Sequence, residues 1–303
     1  MPQIVKKASL AQRRRLPARR EARMAYAFIL PLFIILAVFM FYPLISGLAM
    51  SLQDQNRDFV GLRNFQLLLG ETRFRENFLL SVIYVAVSVP LIICTGLLAA
   101  HLITQDSKAV KFLRPLYLIP WVIPPVASGI LFSTLYDGNS GPIPQLVKAI
   151  TGKTFMPLAN AQYSIAAVIS HEFWRSFPFA MLFLAAGLTT IPRDIYEAAT
   201  IDGASKWTQF KCITLPLIKS HLFIVILMTT NSTLQSSEVI YSLTRGGPGY
   251  STETIAVRMF KDAFVYFEVN TGAAISVFLL VIAMTLMVIY SRLMVAKEDG
   301  PGE

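Results

Sequence analysis

The sequence predicts an all-α membrane protein with six transmembrane helices and both termini on the cytoplasmic side. Three observations carry that expectation. Of the 303 residues, 54% are hydrophobic and only 15% are charged, whereas a soluble domain carries about 25% charged residues. Six segments are apolar over the ~20 residues a helix needs to cross the hydrocarbon core. Lysine and arginine collect in alternate loops, as the positive-inside bias requires.

Residues 1–24 form a basic arm, with Lys6, Lys7, Arg13, Arg14, Arg15, Arg19, Arg20 and Arg23 against one acid, Glu21. Such an arm also suits nucleic acid. Lying directly before an apolar span, it reads as a cytoplasmic anchor beside lipid, and no nucleic-acid partner is expected. The six-helix transmembrane domain then runs from 25 to 294, with spans at about 25–49, 78–103, 115–136, 164–189, 221–243 and 272–294. Residues 295–303 form a cytoplasmic tail. The first span is too long for a signal peptide, contains Pro31 and Pro43, and lacks a small-residue cleavage site. Seventeen of the 27 Lys and Arg fall in the arm, the two loops assigned to the cytoplasm, the tail and, as Arg292, the inner end of the last span. Nine fall in the opposite loops, and Arg175 lies within a span.

Several apparent motifs carry no chemistry. Thr151–Thr154 resembles the end of a phosphate-binding loop, but Val147 stands where the pattern needs glycine. Gly246–Tyr250 is glycine-rich without the strand and helix of a nucleotide site, and reads as a tight turn. Asn231 begins a glycosylation triplet inside a span, where it has no meaning. His101, His171 and His221 lie in separate segments without metal-ligand spacing, and Cys94 and Cys212 are not placed to pair. No metal site and no catalytic residue is expected, and the chain is not read as an enzyme.

Two spans hold residues that lipid penalises by ~3 kcal/mol per charge at the bilayer centre. Span four carries His171, Glu172, Trp174 and Arg175. Glu172 and Arg175, three apart on one face, are placed to neutralise each other. They read either as a buried pair fixing helix packing or as a polar wall of a translocation path with Trp174 as a stacking surface for a sugar ring. Span five carries nine polar residues from Thr229 to Glu238. At 3.6 residues per turn, Asn231, Gln235 and Glu238 share one stripe suited to hydroxyl groups, and the pathway reading is preferred there. Asn270 and Ser276 are further candidates near span six.

Between spans four and five, in the loop 191–220, stands "YEAATIDGASKWTQFKCITLPL" (Tyr196–Leu217). Pro192 ends the preceding span, Asp194 is placed to N-cap a short helix to about Asp202, and Gly203 suits the left-handed residue that stops it. Glu197-Ala198-Ala199, Gly203 and the following "ITLP" resemble the EAA loop of binding-protein-dependent ABC importer permeases. "YSLTRGGPGYSTETIAV", "TGAAISVFLLVI" and "LPLFIILAVFMFYPL" resemble further segments of the maltose/glycerol-phosphate-type sugar branch, and more its MalF-like side in a short six-span form. Arg245 departs from the small residue usual there.

The resemblance implies a type I ABC importer transmembrane domain of the MetI-like fold, multi-pass in a bacterial inner (cytoplasmic) membrane. It implies a permease that takes a sugar or sugar-like solute from an extracytoplasmic binding protein. The partners it implies are a MalG-like second permease, a MalK-like ATPase dimer, a periplasmic or extracellular solute-binding protein, the substrate and membrane lipid. ATP and Mg would sit on the ATPase, with no cofactor in this chain. Glu197, Ala198, Ala199, Asp202 and Gly203 become the ATPase-coupling residues, and Arg245, Gly246, Gly247 and Pro248 the binding-protein contact. Asn, Gln, Ser, Thr and Trp suit carbohydrate, while Arg175 and Arg245 leave anionic sugars and glycerol phosphodiesters open. An ion-coupled secondary transporter using Glu172 and Arg175, or a membrane enzyme using His171 and Glu172 as acid and base, leaves the EAA loop unexplained.

Overall fold

The structure is a computed structural model that describes residues 18–104 and 108–295. Most of the basic arm, and the tail beyond 295, lie outside the described residues. The chain is nearly all helix: α1 (Ala18–Leu36), α2 (Tyr42–Ser51), α3 (Arg63–Gly70), α4 (Thr72–Ile103), α5 (Lys108–Val122), α6 (Pro125–Leu135), α7 (Pro142–Thr151) and α8 (Ala161–Thr189). These are followed by α9 (Arg193–Ile201), α10 (Lys206–Gln209), α11 (Leu215–Leu217), α12 (Lys219–Leu234), α13 (Ser237–Thr244), α14 (Ile255–Phe264) and α15 (Val269–Val295).

The chain divides into two compact units, residues 1–49 and 50–303. In the first, α1 runs through a π-turn, Ala37–Phe41, whose closing bond joins the Tyr42 N–H to the Ala37 carbonyl. Pro43 explains the widened turn: proline has no N–H to give the carbonyl four residues back, and a π-turn is one way to absorb the loss. The same device recurs at Phe210–Thr214, where the Leu215 N–H bonds the Phe210 carbonyl just before Pro216. Phe28, Phe33 and Phe39 are exposed, and such an apolar surface requires a nonaqueous covering.

In the second unit α4 and α8 pack most closely. A side-chain carbon at Gly96 would stand 2.7 Å from the Ala180 Cβ, so small residues set the approach of these two helices. Val89, Ile92, Ile93, Met181, Leu184 and Val225 bury around that contact. A second cluster joins α3, α4, α14 and α15 through Leu68, Phe74, Ile255 and Ile275.

Three stretches, Ala22–Ser51, Thr72–Ile103 and Val269–Leu293, are each long and apolar enough to cross a membrane, and counting bent helix pairs as single spans raises the number to six. The third expected span is therefore not one straight rod. It breaks by 99° between Val122 and Pro125, because Pro124 adopts an extended ψ of 138° and Pro125 starts α6. The fifth expected span also splits: α12 ends at Leu234 and α13 begins at Ser237. α13 packs on α6, where a Cβ at Gly129 would collide with the Ser242 hydroxyl.

Candidate coupling and translocation site

The motif loop is a short, capped, exposed helix followed by a tight return. Helix α9 starts at Arg193 with Pro192 (φ −60°, ψ 138°) in the cap position. The expected N-cap at Asp194 is thus corrected: proline occupies the cap, and Asp194 lies inside the first turn, where its charge favours the helix dipole. The helix ends in paired bonds, Ala204 N–H to the Ala199 carbonyl at 2.9 Å and Gly203 N–H to the Thr200 carbonyl at 3.1 Å, with Gly203 at φ +80°. Ser205 caps the next helix by accepting from the Thr208 N–H at 3.1 Å. Gln209 donates to Thr200 Oγ1 at 2.9 Å and Tyr196 bonds Thr214 at 2.9 Å, pinning the two arms together.

This frame leaves Glu197, Ala198, Asp202 and Gly203 exposed and Ala199 half-buried. Two large apolar side chains stand out of it, Ile201 at 86% and Trp207 at 71% of full exposure.

The polar residues of spans four and five divide into a buried set and an exposed set. His171 and Glu172 are fully buried. The His171 ring bonds Ser128 of α6 at 3.0 Å. The Glu172 carboxylate accepts from Ser176 at 2.8 Å, Ser236 at 3.4 Å and Thr233 at 3.5 Å. It therefore does not pair with Arg175 as the helical spacing suggested. Hydroxyls from its own helix, from α12 and from the break before α13 satisfy it instead. Trp174 is partly buried with its ring 5.1 Å from that of Phe132, so in this conformation it packs among aromatic side chains.

Asn231, Gln235 and Glu238 are exposed. Gln235 donates to Asn231 at 2.9 Å, but the break places Glu238 on α13, so the single helical stripe is not formed. Asn231 and Thr230 line a cavity of about 230 Å³ between α12 and α15, with Met228, Met284, Met287 and Tyr290 on its walls. Asn270 does not belong to it: its amide donates to the Met50 and Gln53 carbonyls at 3.0 and 2.9 Å. Ser276 donates to the Gly272 carbonyl of its own helix.

Sequence reasoning missed Tyr84, Ser88 and Ser128, which are buried with this polar seam. A usable signal was present, since Ser81, Tyr84 and Ser88 recur at helical spacing along α4.

Arg245, Gly246, Gly247 and Pro248 form a turn after α13. Arg245, Gly246, Gly249 and Tyr250 all take positive φ, from 55° to 84°. Thr252 ties the turn, bonding Thr244 at 2.7 Å and the Gly247 carbonyl at 3.0 Å. Beside it lies an ion network absent from the sequence reading. Glu253 is fully buried and binds Arg73 at 2.6 Å and Lys261, while Arg258 binds Asp262 at 2.6 Å and Glu71 at 3.2 Å. Burial works against the charge of Lys261, but its bond to Glu253 outweighs this and raises its pKa. At Arg258 burial is likewise outweighed by Asp262.

Residues 67–298 match the family described as "Binding-protein-dependent transport system inner membrane component". The chain belongs to that family. The permease is 33% identical to the trehalose/maltose transport system permease protein MalF of Thermococcus litoralis, over 92% of this chain and 96% of the relative. It is 28% identical to the sulfoquinovosyl glycerol permease SmoG of Agrobacterium fabrum, over 80% and 78%. With the sn-glycerol-3-phosphate permease UgpA of the same organism it shares 27%, over 86% and 91%. Its fold is that of a type I, MetI-like importer permease: a solved bacterial transporter for the acidic polysaccharide alginate aligns with a TM-score of 0.82 at 19% identity, over 91% of this chain and 96% of that one. The protein is a multi-pass inner-membrane permease component of a binding-protein-dependent transport system.

Proposed function

We propose that this permease passes a sugar or sugar-like solute from an extracytoplasmic binding protein across the membrane. ATP hydrolysis on a separate ATPase dimer drives it, and a second, homologous permease completes the path. The chain itself performs no catalysis and holds no cofactor; ATP and Mg belong to the ATPase. Both termini and the motif loop lie in the cytoplasm, and the turn at Arg245–Pro248 lies outside, facing the binding protein.

The observation that carries this reading is the motif loop: α9 closes at Gly203, the return is pinned to it, and Glu197, Ile201 and Trp207 stay exposed. Large exposed apolar side chains on a rigid polar loop mark a contact surface. Glu197 would make the charged contact, Ala198, Ala199 and Gly203 would allow close approach, and Asp202 would flank them. Closure of the ATPase dimer would move α9 and, through Tyr196 and Gln209, the base of span five.

The solute class rests on the relatives, which are named for trehalose/maltose, a sulfoquinovosyl glycerol and glycerol-3-phosphate, and on the exposed amides Asn231 and Gln235. In the conformation described, His171, Glu172, Trp174 and Arg175 support this path from behind more than they line it.

The test is uptake and ATPase activity of the reconstituted transporter carrying Gly203→Asp or Glu197→Lys. Both substitutions abolish uptake and uncouple ATP hydrolysis while the complex assembles. Full substrate-stimulated ATPase in both variants would sink the reading, and uptake that follows an ion gradient without ATP would replace it with a secondary transporter.

A further inference from the structure

The turn at Arg245–Tyr250 is unusual because two of its left-handed residues, Arg245 and Tyr250, carry side chains. A bulky residue held at positive φ persists only where its surroundings over-determine it. Those surroundings converge on Glu253. One carboxylate oxygen accepts from the Arg73 Nε at 3.0 Å and Nη2 at 2.6 Å, and the other from the Lys261 Nζ. The Glu253 carbonyl accepts from the Asn77 amide, and its N–H reaches the Tyr250 carbonyl at 3.0 Å. Two residues on, the Ile255 N–H donates to Ser81 at 2.9 Å.

Glu253 is thereby bound to α4 through Arg73 and Asn77, and to α14 through Lys261. The same cations reach the turn. The Arg73 guanidinium lies 3.8 Å from the centre of the Tyr250 ring, and the Lys261 amine lies 5.4 Å from it. Gly246 packs on the Glu253 side chain, with a built Cβ only 3.3 Å from the Glu253 Cβ. Ser251 bonds Ser164 of α8 at 2.9 Å, giving a third attachment. Glu253, Thr252 and Thr254 are buried, while Arg245, Gly249 and Tyr250 remain exposed.

We propose that Glu253 is a positioning residue: by joining Arg73 of α4 to Lys261 of α14 it locks the turn so that Arg245, Gly249 and Tyr250 face the binding protein in one fixed arrangement. This rests on the outer placement of the turn proposed above. The buried carboxylate touches no partner itself. It acts by removing the freedom that the turn would otherwise lose on docking, which is how preorganisation strengthens an interface without adding contacts. A carboxylate is required because it offers each cation its own acceptor oxygen and a shared negative charge; glutamine at 253 keeps the shape but turns one oxygen into a donor and leaves Arg73 and Lys261 without that counter-charge.

The experiment uses the full transporter in lipid nanodiscs with Glu253→Gln, and Arg73→Gln as a milder variant that retains the Glu253–Lys261 bond. Amide hydrogen exchange is read first. Glu253→Gln speeds exchange across 245–254 and leaves 193–217 unchanged; Arg73→Gln does the same to a smaller degree. ATPase activity is then titrated with the binding protein. The concentration for half-maximal stimulation rises by on the order of tenfold in Glu253→Gln, with the basal and maximal rates kept.

Unchanged exchange in 245–254 overturns the proposal. So does a fall in maximal rate or in the amount of assembled complex with the half-maximal concentration unmoved, since that is the mark of a purely structural role. If exchange responds as stated but the wild-type transporter is not stimulated by any binding protein, the lock stands and the functional reading fails.

Discussion

The motif loop (193–217) and the turn loop (245–262) are both polar segments between apolar helices, yet they treat their charged and apolar groups in opposite ways. The turn loop consumes its own chemistry. Glu253, Arg258, Lys261 and Asp262 are buried and pair with one another or with α3–α4 residues Glu71 and Arg73. The motif loop satisfies its backbone but not its surface, and leaves Glu197, Ile201 and Trp207 in the open. A segment whose buried charges are all paired inside its own chain is a rigid mount. A segment whose backbone is tied down while its large side chains stay exposed suits the contact surface proposed above. One protein thus carries a closed loop and an open one, and substitutions should divide accordingly between lost stability and lost coupling.

The largest effects come from the closed loop. Asp262→Ala leaves the Arg258 guanidinium buried with only the half-exposed Glu71 as counter-charge, and breaking a buried pair this way costs about 3–5 kcal/mol. Thermal unfolding in nanodiscs should show that loss. The corresponding exposed acid of the open loop, Asp194→Ala, should change stability by no more than about 0.5 kcal/mol. Equal losses at the two sites would break the comparison.

Next in size is the open surface itself. Burying a large apolar side chain contributes about 1.5–3 kcal/mol, so the double variant Ile201→Ala/Trp207→Ala should weaken ATPase-subunit binding on the order of 100- to 10,000-fold. Its thermal stability as an isolated subunit should not change. Retained affinity would show that these side chains face lipid or another part of the assembly.

A smaller effect isolates the backbone. A Cβ at Gly203 meets nothing within 4 Å, yet the residue sits at φ +80°. Gly203→Ala should therefore cost about 1–2 kcal/mol from conformation alone, read as faster amide exchange at the end of α9, with no clash to relieve by compensating substitutions. Gly203→Asn, which tolerates the left-handed region better, should cost less.

How much of this was legible in the sequence follows from the range of each interaction. The helix stop at Gly203 and the apolar lengths of α4 and α15 are local properties, and local patterns express them. Pro124 and Pro125 were visible too, but only the structure shows that they bend the span by 99°. The break after Leu234 has no proline or glycine to announce it. It forms where Ser236 and Thr233 turn toward the Glu172 carboxylate, more than 60 positions earlier in the chain, and the same contacts draw Glu172 away from Arg175. The turn-loop network was invisible for the same reason: Arg73 and Glu253 are 180 residues apart. Spacing on one helix states which side chains are able to meet, and tertiary packing decides among them.

The finest test of the comparison is its dependence on pH. Burial disfavours the Lys261 charge, but the bond and charge of Glu253 prevail and hold its pKa above the ordinary 10.5. A folded-state pKa above the unfolded one means that the folded protein holds its proton more tightly. The contribution is therefore complete below about pH 10.5 and is lost as pH rises through the higher folded value. The closed loop should then show no Lys261-dependent loss of protection between about pH 7 and 9 and should begin to loosen only above about 10.5. Amide exchange of 250–262, corrected for the intrinsic rise with pH, measures this directly. Lys261→Met should abolish the alkaline step while leaving the motif loop untouched. A loosening near neutral pH that survives Lys261→Met would mean that a group other than Lys261 controls the mount, and that the loop is less closed than its buried ion pairs imply.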